Sequence, residues 1–333
     1  MKKNRLMVAL LCGSLLVLNL AGYSADVSQA ADQKKAVSLI IAGGPQGGGW
    51  FGLAGNLAKT SEQVIPGLRM SVMPGGGVGN PSLVEKGDAH LALTVSHLYN
   101  SAVRGDEPYS GMNAKNIRAL AQVGTSDTCL FLVKKNLPVH SIQEIKDKKY
   151  PIKLTTTGKA STPALGMLRI LKEYGITEKD IKSWGGNITY TAYTDAAQLI
   201  SDGHADGIVA PVVPALVELE RTVPMKLLPM DEKMVDTLVQ KYGYSKNRLT
   251  KGKTAWGLDD YWQIGEPNVI IVRADVSDEI VYGITKLICE HPEMIRTWGE
   301  THARFNPETA WKDVGGILHP GAERYYKEKG YQK

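Results

Sequence analysis

Two glycine-rich turns, Gly43 to Gly49 and Gly75 to Gly79, constrain the fold of this chain more than any other feature. Each turn follows a short run of strand-forming residues and is followed at once by the start of a helix. The runs before the turns are Val37 to Ala42 and Leu68 to Met73, and the helical segments after them begin at Trp50 and Asn80. Strands that alternate with helices at this spacing predict a mostly parallel sheet covered by helices on both faces.

A similar pattern occurs in the middle of the chain and predicts a second α/β lobe. There the strand Ile152 to Thr156 leads into the turn Thr157 to Thr162, and a helix runs from Leu165 to Tyr174. Thr162 and Thr194 are predicted helix caps, because a threonine hydroxyl accepts hydrogen bonds from the free N–H groups at a helix start. The same reasoning makes Asn80 the predicted cap of the helix that follows the second glycine turn.

A later apolar run, Val269 to Val272, predicts another strand, followed by a helix from Ser277 to Cys289. If this strand returns to the first sheet, the chain crosses between the lobes twice, and the cleft between them becomes a hinged ligand site. The predicted boundaries are a signal peptide at 1–30, the first part of lobe 1 at 31–127, lobe 2 at 128–260, and at 261–333 the return to lobe 1 with C-terminal helices.

The first thirty residues predict export of the protein. Lys2, Lys3 and Arg5 form a basic start, Leu6 to Leu20 is almost wholly apolar, and Ser28-Gln29-Ala30 fits a cleavage site with small residues. The apolar run is shorter than the ~20 residues that span a membrane. We therefore predict cleavage near the end of this segment and a periplasmic, monomeric mature protein.

The net charge and the histidines argue against nucleic-acid binding and metal binding, and the cysteines favour buried thiols. Removal of the leader lowers the formal net charge from +5 to +3 and leaves no dense cationic stripe, so nucleic-acid binding is not expected. Cys129 and Cys289 lie in apolar stretches, which favours buried thiols, with a disulfide as the alternative. The seven histidines form no H-E-x-x-H motif and have no cysteine at metal spacing, so neither a metal nor a cofactor is expected.

Three predicted helix starts follow strands, at Gly49-Trp50, Gly79-Asn80 and Ser161-Thr162. Glycine lets the backbone approach a ligand closely, and a helix start presents free N–H groups with a partial positive charge. Ligands of open α/β sheets lie beyond the carboxyl ends of the strands. We therefore predict a site for a small organic anion, a dicarboxylate or an acidic amino acid, with Lys159 adding a full positive charge and Trp50-Phe51 limiting ligand size.

The predicted ligand-binding residues lie on these turns and at neighbouring strand ends. They are Gly44, Gly48, Gly49, Trp50, Phe51, Gly76, Gly77, Val78, Asn80, Ser96, Lys159, Ala160, Ser161, Thr162 and Ala210. For four of them the sequence leaves a structural role open. Trp50 and Phe51 could simply pack the first helix on its sheet. Lys159 could be an ordinary exposed lysine, and Ser96 could bond its own backbone in a turn.

A dinucleotide site is the first alternative, because Gly47 to Gly52 formally matches G-x-G-x-x-G. Such a site needs an acidic residue about 20 positions further on, where this chain has Met73-Pro74-Gly75. The side chains of Trp50 and Phe51 would also crowd a pyrophosphate. The second alternative is an exported enzyme, for which Asp127 and His97 are the candidate acid and base.

The order and spacing of these motifs resemble the TAXI family, the extracytoplasmic solute receptors of tripartite ATP-independent periplasmic (TRAP) transporters. The segments that carry the resemblance extend over most of the chain after the leader. They are Gly47-Gly48-Gly49-Trp50-Phe51, Gly76-Gly77-Val78-Gly79-Asn80, Lys86 to Ala92 leading to Ser96, Thr157 to Thr162, and Ser201 to Gly207. Val78 stands where the family has a serine, and Lys159 or Ala160 where it has a glycine.

The resemblance implies a class II periplasmic-binding-protein fold, with two α/β lobes that close on a solute. It also implies delivery of that solute to a TRAP-type membrane permease driven by an ion gradient. The tricarboxylate receptors of the Bug type share this fold and an early glycine turn, but their Asn-x-x-Gly-Ala-Gly-Gly turn is not found in this chain. A sensor domain that reports the solute to a membrane kinase would differ only in its partner.

Overall fold

The computed structural model describes residues 36–46, 48–127, 129–249 and 261–332. The predicted signal peptide and Gly47 of the first glycine turn lie outside the described residues. Within the described ranges no helix is both long enough and apolar enough to cross a membrane. The described chain is built on two β-sheets, and we call the part around each sheet the first lobe and the second lobe.

The first sheet contains six strands, and its order is β10-β11-β3-β1-β2, with β4 paired to β11. β1 is parallel to β2 and β3, whereas β11 is antiparallel to β3, β4 and β10. The strands are β1 (Val37–Ala42), β2 (Leu68–Met73), β3 (Leu91–Val95), β4 (Ile117–Ser126), β10 (Ser245–Leu249) and β11 (Tyr261–Arg273).

The second sheet contains five strands in the order β7-β6-β8-β5-β9. β6 is parallel to β7 and β8, and β5 is antiparallel to β8 and β9. The strands are β5 (Leu130–Lys134), β6 (Lys153–Thr156), β7 (Asn187–Tyr190), β8 (Gly207–Ala210) and β9 (Met225–Leu227).

Both sheets follow one plan, in which three parallel strands are extended by an antiparallel strand that comes from the crossing between the lobes. In the first sheet this strand is β11 and in the second it is β5. All other described strands of each sheet run in one direction, so the prediction of a mostly parallel sheet is confirmed apart from the one crossing strand that runs against them. The predicted fold class, two α/β lobes as in class II periplasmic binding proteins, is confirmed.

Helices connect the strands and cover both faces of the sheets. They are α1 (Gly49–Val64), α2 (Asn80–Lys86), α3 (Ser96–Arg104), α4 (Ile142–Asp147), α5 (Thr162–Glu173), α6 (Glu178–Ser183), α7 (Tyr193–Ser201), α8 (Pro214–Glu220), α9 (Glu232–Tyr242), α10 (Asp278–Glu290), α11 (Pro292–Arg296) and α12 (Pro320–Glu328), with 3₁₀ turns at Glu300–His302 and Pro307–Thr309. All five residues of β3 are buried, as expected for a strand covered on both faces.

Three predicted helix caps were wrong by one or more residues. Ser161, and not Thr162, caps α5, because its side chain accepts from the Ala164 N–H. Thr194 lies inside α7, whose start has no side-chain cap. Asn80 is the first residue of α2 rather than its cap, because its amide is held by partners outside the helix.

The chain passes from the first sheet to the second between β4 and β5, and returns at β10 and β11. β11 is 13 residues long, and pairs with β10 through its first part and with β3 and β4 through its second part. The return of the Val269 segment to the first sheet is thus as the sequence analysis supposed. The numerical boundaries at 127/128 and 260/261 stay predictions.

Cys129 and Cys289 are both free and buried, each in a different lobe. Burial raises the pKa of the Cys289 thiol to about 12 and that of Cys129 well above its usual value. Since the thiolate is the reactive form, we expect both thiols of the folded mature protein to resist Ellman's reagent and to react only in denaturant. Rapid reaction of either thiol in the folded protein, or a melting temperature lowered by a reducing agent, would contradict this.

Two buried histidines predict that the protein loses stability below neutral pH. Burial lowers the pKa of His302 and of His319, and the Nδ1–H of His302 donates to the Val123 carbonyl at 2.6 Å. Below the unfolded-state pKa of about 6.5, the unfolded chain therefore binds protons that the folded chain does not. The free energy of unfolding should fall as the pH is lowered from 7.5 to 5.5, with a slope of at most about 1.4 kcal/mol per pH unit for each histidine.

The variant His302→Asn tests this, because Asn can keep a donor near the Nδ1 position but takes up no proton. Urea unfolding at several pH values should show a smaller loss of stability at low pH for the variant than for the wild type. His204, which is exposed, supplies the matched control His204→Asn, whose pH dependence should follow the wild type. An unchanged slope in His302→Asn would show that His302 does not contribute.

Candidate functional site

The two lobes meet at two turns on opposite sides of the cleft. We call Gly75–Gly79, which follows β2, the first-lobe turn, and Thr157–Ser161, which follows β6, the second-lobe turn. The N–H groups of Val78 and Gly79 both donate to the carbonyl of Ala160, at 3.0 and 3.2 Å. Two of the predicted site residues, Val78 and Ala160, are thus joined across the cleft, and the lobes are closed on one another at this point.

The absence of a side chain at Gly76 and Gly77 is what allows this close approach. A Cβ at Gly76 would lie 2.5 Å from the Ala160 oxygen, and one at Gly77 would lie 2.6 Å from Cγ2 of Thr162. Both distances are shorter than van der Waals contact. The Trp50 indole also lies against Gly77, with ring atoms 3.1 and 3.3 Å from the position of a Cβ.

One face of α5 forms the second-lobe side of the closed interface. Thr162, Leu165 and Arg169 lie at spacings of three and four residues and therefore on the same side of the helix. Thr162 contacts Gly77, Leu165 packs against the first-lobe core that contains Val95 and Leu98, and Arg169 Nη2 donates to the Glu107 carbonyl at 3.4 Å. The interface therefore extends along α5 well beyond its N-terminus.

Asn80 holds the first-lobe turn in place from below. Its Oδ1 accepts from the Gly76 N–H at 3.0 Å, and its Nδ2 donates to the carbonyls of Gly43 and Leu93 at 2.8 and 2.6 Å. These partners lie just after β1, in the middle of β3 and on the turn itself. Because its polar atoms bind the protein and the residue is fully buried, Asn80 positions the site from underneath.

The start of α1 lies beside the first-lobe turn. Gly44 pairs with this turn through its carbonyl, which accepts from the Gly75 N–H at 3.2 Å, and Gly48 accepts from the N–H groups of Phe51 and Gly52. Trp50 is half-buried and packs against the cores on both faces of the first sheet. Gly49 is exposed and Phe51 half-buried.

Of the second-lobe candidates, Lys159 lies at the exposed rim. Its Nζ lies 4.9 Å from the centre of the Tyr190 ring, a cation–π contact within the same lobe. The Ser161 hydroxyl caps α5 and bonds the Thr157 hydroxyl at 2.5 Å. Ala210 is buried at the end of β8, opposite Leu130 of β5.

Ser96, at the start of α3, is half-buried. Its carbonyl packs against Gly315, where a Cβ would lie 2.0 Å from the oxygen. Ser96 is therefore in contact with the C-terminal part of the chain, on the first lobe.

A cluster of buried polar side chains, His97, Arg169, Tyr244 and Glu266, lies where the lobes and the crossing strands meet; we call it the interlobe cluster. His97 Nε2 and Glu266 Oε1 are 3.0 Å apart, and the His97 and Tyr244 rings are 4.6 Å apart between centres. Arg169 Nη1 donates to the Tyr244 hydroxyl at 3.3 Å. Burial raises the pKa of Tyr244 well above its usual value, with Glu266 acting in the same direction.

Several polar atoms of this region have no hydrogen-bond partner among the residues that the structure describes. They are His97 Nδ1, Arg169 Nε, Glu266 Oε2, and the amide nitrogens of Gln263 and Asn268. A buried polar group without a partner costs about 1–3 kcal/mol, so a concentration of such groups is unusual in a folded protein. Water or a polar group of a bound solute can complete these hydrogen bonds.

Sequence reasoning missed most of the interlobe cluster. Arg169 lies in the middle of a predicted amphipathic helix, and Glu266 in a segment that was not predicted to be a strand. The one available signal for Arg169 is its helical spacing from Thr162, which shows that it shares the face of the glycine-turn residues. Asp127, the other acid-base candidate, accepts from Asn247 and is not part of the interlobe cluster.

Among the described residues no group of three or more His, Cys, Asp or Glu side chains is arranged to hold a metal ion. The candidate site is instead an interface of backbone amides, an aromatic side chain and the interlobe cluster. Its chemistry suits a small polar solute held between two lobes.

Residues 41–330 match the model of the NMT1-like family. The chain belongs to this family. The match extends over both lobes and includes both glycine-rich turns and the interlobe cluster. All residues of the candidate site therefore lie inside the family's region.

Three solved structures with a similar arrangement of the chain are remote from it in sequence. MatC from Rhodopseudomonas palustris with bound malate is 12% identical, with a TM-score of 0.49, over 87% of this chain and 98% of that one. The periplasmic binding protein BugD is 12% identical, with a TM-score of 0.47, over 90% and 94%. The aliphatic sulphonate binding protein SsuA from Escherichia coli is 12% identical, with a TM-score of 0.43, over 89% and 84%. Likeness at this level does not tell which solute this chain binds.

Proposed function

We propose that this protein is an extracytoplasmic receptor that captures a small organic anion between its two lobes. The observation that carries the proposal is the direct contact between the two turns, in which Ala160 of one lobe accepts from two N–H groups of the other. A contact of this kind forms only when the lobes close. A solute that touches both lobes would favour the closed state in proportion to its preference for that state.

The same contact changes where the anion would bind. The N–H groups of Val78 and Gly79 are occupied by Ala160 in the closed state. A solute carboxylate could bind them only when the turns are apart. In the closed state the acid group would have to be held elsewhere in the cleft.

The finer part of the proposal is delivery to a TRAP-type permease as a TAXI-type receptor. The resemblance of the two turns and of the Ser201–Gly207 segment to that family supports it. A Bug-type receptor is the neighbouring alternative, and a sensor domain differs only in its membrane partner. The exported-enzyme alternative gains no support, because its candidates His97 and Asp127 bind separate partners, Glu266 and Asn247.

Native mass spectrometry of the gently purified mature protein tests the proposal. The intact protein should carry an additional small mass that is absent after denaturation, and the difference should correspond to an organic acid. An empty protein that also shows no thermal shift with organic acids, amino acids or neutral solutes would contradict the receptor function. A bound neutral solute would retain the receptor and reject the anion.

A further inference from the structure

We propose that the solute is an organic acid that also carries a hydroxyl or ammonium group, with its acid group bound by Arg169 and its donor group bound by Glu266. This inference rests on the proposed function, because it names the solute class of the same cleft. The positive charge that binds the acid group then belongs to Arg169 of the interlobe cluster and not to Lys159.

Arg169 carries a positive charge and is buried. The residue is 3% exposed. Within the described residues its guanidinium donates hydrogen bonds to two neutral oxygens, the Tyr244 hydroxyl and the Glu107 carbonyl, at 3.3 and 3.4 Å, and it lies over the Tyr242 ring, 4.6 Å from the ring centre. Its Nε has no partner, and no acidic side chain among the described residues pairs with it. Buried charges are normally paired, and a guanidinium suits a carboxylate because it offers parallel donors.

Glu266 is buried, and only one of its two carboxyl oxygens is hydrogen-bonded within the described residues. Its side chain is 1% exposed, and one carboxyl oxygen is bonded to His97 Nε2 at 3.0 Å. The other oxygen, Oε2, is buried and receives no hydrogen bond. His97 Nδ1 is also unpartnered among the described residues, but it points away from Glu266, because Nε2 faces that carboxyl group. Glu266 Oε2 is therefore the atom that is open to a donor. A hydroxyl or an ammonium group of the solute provides such a donor.

Arg169 and Glu266 both lie in the region between the lobes. Arg169 and Glu266 are linked through Tyr244 and His97 into one cluster. Arg169 comes from the second lobe and His97 from the first, so the cluster opens when the lobes separate. By contrast, Lys159 is exposed and lies over Tyr190 at the rim. A plain dicarboxylate would satisfy Arg169 but would bring no donor to Glu266.

Isothermal titration calorimetry with three five-carbon diacids tests the solute class. Glutarate, 2-hydroxyglutarate and glutamate share one skeleton and differ only in having hydrogen, hydroxyl or ammonium at carbon 2. We expect the wild type to bind 2-hydroxyglutarate or glutamate about 10- to 100-fold more tightly than glutarate, the effect of one charge-assisted hydrogen bond. Equal or tighter binding of glutarate would overturn the inference.

Variants test the two residues separately. Arg169→Met should weaken binding of the preferred diacid about 10- to 100-fold, whereas Lys172→Met, which removes an exposed charge from the same helix, should not. Glu266→Gln should bring the affinities for the preferred diacid and for glutarate closer together. If Arg169→Met proves unfolded by circular dichroism, Arg169→Lys keeps the charge but lacks Nε, and should still bind more weakly. Folded Arg169 variants with wild-type affinity, or loss of binding in Lys159→Ala alone, would overturn the assignment.

Failure of the inference and failure of the proposed function are distinguishable. If native mass spectrometry finds a bound solute without an acid group, or wild-type protein binds its solute but none of the three diacids, the receptor function stands and the inference falls. If no solute is bound under any condition, the function itself falls.

Discussion

Replacing Asn80 by Leu should lower the free energy of unfolding by at least about 3 kcal/mol, since three buried partners would each lose a hydrogen bond, at about 1–3 kcal/mol each. Leu is close to Asn in shape but cannot bond the Gly76 N–H or the carbonyls of Gly43 and Leu93, which Asn80 now contacts at 2.6 to 3.0 Å. Urea unfolding followed by circular dichroism measures the change. The first-lobe turn should also lose its shape, so solute binding should fall with stability.

Asn100 supplies the matched control. It is exposed and makes one hydrogen bond, to the Gly315 carbonyl at 3.1 Å. Asn100→Leu should therefore change the free energy of unfolding by no more than about 0.5 kcal/mol, as is usual at the surface. Similar losses in both variants would show that the buried hydrogen bonds of Asn80 contribute no more to the free energy of unfolding than one surface hydrogen bond.

Gly76→Val should impair closure of the lobes while leaving each lobe folded. The three atoms nearest to a Cβ at Gly76 all belong to Ala160 and Ser161 of the opposite lobe, and the shortest distance is 2.5 Å. The variant should therefore have a larger radius of gyration in small-angle X-ray scattering than the wild type in the presence of solute. If closure contributes about 1.4–3 kcal/mol to binding, the affinity should fall about 10- to 100-fold.

Gly158 lies on the second-lobe turn and offers the control for this experiment. A Cβ there would meet no atom within 4 Å, so Gly158→Ala should bind and close like the wild type. Circular dichroism should show that Gly76→Val retains its secondary structure. Wild-type affinity in Gly76→Val would mean that the solute-bound protein does not form the contact between Ala160 and the first-lobe turn.

Individual strands and helices could be predicted because the residues that mark them are neighbours in the sequence. β2 begins and ends where predicted, at Leu68 and Met73, since its residues alternate and glycine or proline follows. β11 was predicted only at Val269 to Val272, because Gln263, Glu266 and Asn268 interrupt the apolar pattern within it. Those polar residues are buried at the interlobe region, where hydrogen bonding replaces hydrophobic packing.

The candidate site was predicted in its parts but not in its assembly. The sequence identified both turns, yet nothing local shows that Val78 and Gly79 bond to Ala160, which lies some eighty residues further along. α3 was missed because Ser96 follows β3 directly, without a turn to mark the change. Arg169 could not be told from a surface arginine, because its burial depends on Tyr244 and on the Glu107 carbonyl of the other lobe.

The insertion of β11 between β3 and β4 has a consequence for the order in which the protein assembles. The second sheet uses only residues 130–227, so it is complete as soon as that stretch of chain has emerged. The first sheet needs strands from residue 37 to residue 273, and β3 and β4 have no common neighbour until β11 arrives. Because strand pairings between distant residues form slowly, the first lobe should be the last to fold. In a chain truncated before Tyr261, proteases should cleave the first lobe while the second lobe resists them.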